Sequence, residues 1–195
     1  MKEYRDKLLK EIANNLILHS LELNDVGLFY GKMGIVIFFE HYFRYTGEVI
    51  YDDFAGDLLD DICDKIPKTL PINMENGLCG IGWGIEYLIQ NNFMKGDADY
   101  ILDEIDEKIL EMDLEMIHDY TIESGLIGIL LYISFRMSNK YYSNYKQKVK
   151  RFLPMLNFIV NTNFIEYVVR LNNVLNMNDF SLFKGCAGFG IRFLI

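Results

Sequence analysis

The chain has 195 residues, half of them apolar, and a formal net charge of -9, enough for one domain with a substantial core. Its acidity argues against a nucleic-acid binder, which needs clustered Lys and Arg to neutralise phosphate; the dense basic run Lys146, Lys148, Lys150 and Arg151 reads as a solvated helix face. No apolar stretch reaches bilayer length or follows the mixed-charge start as a signal peptide would, and Cys63, Cys79 and Cys186 are too scattered for a disulfide framework, so a cytoplasmic protein without membrane association is expected.

Helical periodicity runs through most of the chain. Residues 4–23 place Leu8, Leu9, Ile12, Leu16 and Ile17 on one stripe, the mark of an amphipathic surface helix. Residues 52–66 repeat it with Leu58, Leu59, Ile62 and Ile66, and residues 99–112 with Ile101, Leu102, Ile105, Ile109 and Leu110. Residues 140–160 form a fourth candidate, and 164–175 an extra helix. Between these lie segments apolar on nearly every side, 33–43, 81–89 and 126–135. A helix of that kind is buried all round. Thr46-Gly47, Pro67, Pro71 and Gly96-Asp97 punctuate the connections. The pattern predicts an all-α fold in which outer amphipathic helices alternate with inner apolar ones, an α/α toroid.

Each apolar helix opens on a short glycine motif: Gly31-Lys32-Met33-Gly34, Gly77-Leu78-Cys79-Gly80, Gly125-Leu126-Ile127-Gly128 and Gly185-Cys186-Ala187-Gly188. The first glycines are 46, 48 and 60 residues apart, a period that marks stacked helical units. Glycine lets the chain double back and lets the inner helix start close to its neighbours, where a Cβ would clash. The turns are also expected to bring helix N-termini and their unpaired N–H groups together, as a site for an anionic or peptide ligand.

The repeated Gly-x-x-Gly followed by an apolar helix, fullest in Asn76-Gly77-Leu78-Cys79-Gly80-Ile81-Gly82-Trp83-Gly84, resembles the lanthionine synthetase C-like family. The resemblance implies a toroid of seven such hairpins, of which four are present. It also implies the chemistry of the family's zinc-dependent cyclases, addition of a peptide cysteine thiol to a dehydrated Ser or Thr. In that family the metal ligands, a Cys-His pair and a Cys, sit just before a first glycine. Here those positions hold Phe29-Tyr30, Glu75-Asn76, Glu123-Ser124 and Phe183-Lys184. No metal-ligand set and no cofactor are therefore expected in this chain, and no stoichiometric zinc. A single domain over residues 1–195 is expected, incomplete at its C-terminus because the chain stops inside the last inner helix at Arg192-Phe193-Leu194-Ile195.

The residues before each motif, Tyr30, Asn76, Ser124 and Lys184, are candidate ligand-binding groups, with helix capping as the plain alternative for Asn76 and Ser124. Glu75 and Glu123 hold equivalent repeat positions and could act as paired carboxylates. His118 and Asp119 are the candidate catalytic pair. Cys79 and Cys186 read either as thiols activated by a helix N-terminus or as small residues in a turn; Trp83, Tyr87 and Leu88 read as core. Three functions stay open: a peptide-modifying protein performing thioether cyclisation, a non-catalytic half-toroid that binds a peptide or protein, and a carbohydrate-active α/α barrel enzyme. The implied partners are a peptide substrate and a protein partner or second copy docking on exposed inner helices.

Overall fold

A computed structural model describes residues 2–65, 70–137, 142–155, 163–171 and 175–195. Its described residues are helical with no strand, and they gather into two compact units, Met1–Lys68 with Phe164–Ile195, and Thr69–Asn163.

In the first unit, α1 (Lys2–His19) buries Leu9, Ile12, Ala13 and Leu16, and a 3-10 turn at Ser20–Glu22 follows it. Helix α2 (Lys32–Thr46) is buried on every side from Lys32 to Tyr42; its apolar run, residues 33–39, predicts this, and the burial extends over Lys32, Glu40 and His41 as well. It ends on Gly47, whose φ of 74° is left-handed and whose N–H returns to the Phe43 carbonyl at 2.7 Å. That is a glycine C-cap. Helix α3 (Val49–Lys65) starts two residues later and packs along α2, burying Tyr51, Ala55, Leu58 and Ile62 from a single stripe. Numbering on in chain order, α9 (Phe164–Leu171) and α10 (Cys186–Ile191) complete the unit, and α10 packs against α1, α2 and α9.

The second unit pairs inner helices α4 (Leu78–Gln90) and α7 (Leu126–Arg136). The predicted outer helix at 99–112 is two pieces, α5 (Ala98–Ile101) and α6 (Asp103–Glu111), separated at Leu102. Helix α8 (Tyr142–Lys148) and a 3-10 turn at Lys150–Phe152 occupy part of the candidate helix at 140–160; residues 140, 141 and 156–160 lie outside the described residues, as do 172–174 of the candidate helix at 164–175. Within the basic run, Lys148 Nζ donates to the Leu110 carbonyl at 2.8 Å and to that of Met112, and Arg151 pairs with Glu115. Both cations tie to the end of α6 and the segment that follows it.

No helix among the described residues is long and apolar enough to cross a membrane. The segments that looked apolar all round are the most deeply buried helices, whereas α1, α3 and α6 each keep a charged outer side. That contrast is the outer–inner alternation the periodicity implied.

Candidate functional site

All four inner helices start in the same way. Gly31, Gly77, Gly125 and Gly185 are the N-caps, with φ between -104° and -117° and ψ between -167° and -171°. In each repeat the N–H of the next residue donates to the carbonyl six residues before the glycine: Lys32 to Asp25 at 2.9 Å, Leu78 to Pro71 at 2.9 Å, Leu126 to Asp119 at 2.8 Å and Cys186 to Asp179 at 2.7 Å. A Cβ on the first glycine would collide with that same carbonyl in every repeat. The glycine is required by its own loop, which folds back over the helix start.

This narrows the expectation of unpaired N–H groups. The first helical N–H is already satisfied by the loop, and in two repeats a later one is too, Gly80 to Asn73 at 3.1 Å and Gly188 to Ser181 at 3.3 Å.

Side chains build the loop as well. Asp25, Asp119 and Asp179 each accept a main-chain N–H two residues on, from Gly27, Thr121 and Ser181, at 2.7 to 2.9 Å. These are Asx turns. Pro71 takes the corresponding place in the second repeat. A second set of bonds runs from the residue before the glycine to a side-chain oxygen three earlier: Asn76 N–H to Asn73, Ser124 N–H to Thr121 and Lys184 N–H to Ser181. Asn76 and Ser124 are thus turn residues one place outside the cap, since the N-caps are the glycines.

The loops meet in pairs. Within the first unit, the Leu182 and Phe183 N–H groups both donate to the Phe29 carbonyl, at 2.9 and 3.1 Å. Within the second, the Met74 and Glu75 N–H groups both donate to the Glu123 carbonyl, at 3.0 Å each. Counted from the glycine, the donors and acceptor hold identical positions in the two junctions. The second glycine of the accepting repeat makes room for its neighbour: a Cβ on Gly34 would lie 2.6 Å from Leu182 Cβ, and one on Gly128 2.9 Å from Met74 Cβ.

Matched backbones carry opposed chemistry. At the first junction Phe29 and Phe183 stack at 4.9 Å, half-buried Tyr30 meets both rings edge-on, and the exposed Lys184 ammonium sits 5.6 Å from the centre of the Phe183 ring. At the second, the same positions hold half-buried Glu75, Asn76 and Glu123 and exposed Ser124. The Asn76 Oδ1 is buried, with no hydrogen-bond partner among the described residues.

The predicted candidates are thereby brought together in two groups, Tyr30 with Lys184, and Glu75 and Asn76 with Glu123 and Ser124. Asp119 belongs to the loop of the second group. Its carboxylate accepts the Ser124 hydroxyl at 2.6 Å as well as the Thr121 N–H, and these bonds, Ser124 first, hold its pKa below the ordinary carboxylate value. His118 is exposed immediately before it. Cys79 and Cys186 are fully buried. Burial pushes the Cys79 thiol far up and the Cys186 thiol up to about 11. Trp83 is buried between Tyr87 and Phe135, with ring centres 5.1 and 5.2 Å away.

One charged cluster has no counterpart in the sequence reading. Arg136, wholly buried at the end of α7, reaches Glu86 on α4 at 2.6 Å, Asp99 on α5 at 2.9 Å and Asp106 on α6 at 2.6 Å. Tyr132 and Tyr145 hydroxyls donate to Asp106 Oδ1 at 2.6 and 2.7 Å. Every one of these donors closes on protein, which marks the cluster as a structural clamp between inner and outer helices.

Among the described residues no group of three His, Cys, Asp or Glu side chains is placed to hold a metal. A family model described as lanthionine synthetase C-like protein matches residues 22–174. No curated protein matches the chain.

Proposed function

The chain belongs to the lanthionine synthetase C-like family, and on that premise we propose that it takes part in the thioether modification of a peptide by holding that peptide at a loop junction. The observation that carries this reading is the pair of matched junctions. Identical main-chain geometry presents Tyr30, Phe183 and Lys184 at one and Glu75, Asn76, Glu123 and Ser124 at the other. Half-buried polar and aromatic groups on fixed turns orient an extended ligand without a large ordering cost. An aromatic face beside a cation suits an apolar or acidic side chain; two carboxylates suit a basic one.

The residues described do not fit a zinc site, so no step is routed through the metal. Cyclisation itself joins a peptide cysteine to a dehydrated residue. The role this chain's own groups support is to bind the peptide at a junction.

The test uses a fluorescein-labelled synthetic peptide with one cysteine and one dehydrobutyrine. Fluorescence anisotropy reports binding, and alkylation of the remaining thiol reports ring closure. Saturable binding weakened at least fivefold by Lys184→Ala or by Glu75→Ala with Glu123→Ala supports the junctions as the site. Binding unchanged in both variants overturns it. Loss of the free thiol on incubation would assign cyclisation to this chain; a bound peptide with its thiol intact favours the reading as a binding module.

A further inference from the structure

Glu40 lies midway along α2, is 6 % exposed, and its Oε2 has no hydrogen-bond partner among the described residues. A carboxyl group so placed is costly as an anion and tolerated as a neutral acid. The helices packed on α2 do not relieve it. From α3 the charged group acting on it is Asp52, a like charge; from α2 itself it is Arg44, one turn on and exposed to solvent. Adjacent His41 supplies no cation near neutrality, because burial and Arg44 lower its pKa to about 4. Helix α10, also packed on α2, reads Cys-Ala-Gly-Phe-Gly-Ile and offers only the neutral Cys186 thiol. Helix α1 sets Arg5 and Asp6 at the C-terminal end of α2, on the Tyr45 hydroxyl. Burial first, then Asp52, push Glu40 up to about 7.

The far end of the same hairpin is held differently. Buried Lys32, the first residue of α2, pairs with Asp61 near the end of α3. The hairpin thus has a charged clasp at its loop end and, nearer its turn, a buried acid with one carboxyl oxygen lacking a hydrogen bond among the described residues. We propose that Glu40 is a protonation-controlled latch of the α2–α3 hairpin: with its carboxyl neutral the two helices close, and its ionisation favours local opening.

Amide hydrogen exchange of the intact chain at pH 6 and pH 8, corrected for intrinsic rates, tests this. With Glu40 titrating near 7 when closed and near 4.5 when open, its ionisation raises the opening constant for α2 and α3 amides roughly tenfold between those pH values. His41, near 4 when closed and 6.5 when open, lowers it roughly fourfold, so wild type shows a net rise of about twofold and Glu40→Gln a fall. The neutral isostere Glu40→Gln abolishes the rise, and Asp52→Asn moves its midpoint down. An equal rise in wild type and Glu40→Gln overturns the latch, as does a rise in α4 amides matching that in α2 and α3. If Glu40→Gln does not fold, carboxyl-detected NMR titration of the wild-type chain decides: a Glu40 midpoint near 7 supports the latch, and one near 4.5 overturns it.

Discussion

Arg136 and Asp106 face each other with no access to solvent, the guanidinium Nη2 and Nε lying 2.6 and 3.0 Å from the same carboxylate oxygen. The pair joins the last turn of an inner helix to an outer one, and Glu86, Asp99, Tyr132 and Tyr145 complete it. Removing one partner leaves the other as an uncompensated buried charge. Arg136→Met and Asp106→Asn are each expected to lose about 3–5 kcal/mol in urea unfolding. Arg136→Lys recovers little, because one ammonium cannot reproduce the forked donors.

The glycine loops give a contrast between two small substitutions. In Gly125→Ala the new methyl group meets the Asp119 carbonyl of its own loop, and overpacking of this kind costs about 1–3 kcal/mol. In Gly47→Ala the methyl meets open space, and the cost comes from the left-handed backbone alone, about 1 kcal/mol. Denaturant unfolding should rank Gly125→Ala as the more damaging. The reverse order would mean that the loop carbonyl yields readily.

Two buried groups on α2 make stability depend on pH in opposite directions. Glu40 titrates near 7 when folded against 4.5 unfolded. The folded chain therefore holds the extra proton, and its contribution falls as pH rises from 4.5 to 7. His41 titrates near 4 when folded against 6.5 unfolded. There the unfolded chain holds the extra proton, so stability rises with pH from 4 to 6.5. In wild type the two slopes largely cancel between 4.5 and 6.5. Glu40→Gln unmasks the His41 rise, up to about 3 kcal/mol, measured as denaturant midpoints across that range. A flat profile in the variant would contradict the buried, neutral histidine.

Thiol labelling separates the cysteines. Cys63 is exposed, whereas Cys79 and Cys186 are fully buried with thiols pushed up by desolvation. Brief alkylation of the native protein at pH 8, read by peptide mass spectrometry, should modify Cys63 and spare the other two. Rapid modification of Cys186 would restore the reading of a thiol activated at a helix N-terminus.

The hairpin architecture was legible because its signals are local. An all-round apolar run marks a buried helix, and a glycine before each one marks its start. The loop chemistry was only half legible. Asp119 was read with His118 as a pair, yet its position is shared by Asp25 and Asp179 six residues before their glycines. Pro71 breaks that series, and the long last spacing hides it further. The loop bonds to the first helical N–H groups were not legible because a loop's path back over its own helix is not written in residue type. The Arg136 cluster was invisible for another reason: Glu86, Asp99, Asp106 and Arg136 are dispersed over 50 residues and meet only when α4, α5, α6 and α7 have packed.

The most direct test of the junctions as a peptide site is a charge swap. Anisotropy titrations would compare two labelled peptides of equal length, one rich in Glu and one rich in Lys, against wild type, Lys184→Glu and the double variant Glu75→Lys with Glu123→Lys. If the junctions hold peptide, Lys184→Glu loses affinity for the acidic peptide and the double variant loses affinity for the basic one, each about tenfold, with unfolding midpoints unchanged. If both variants bind both peptides as wild type does, the peptide is held elsewhere and the proposed site is wrong.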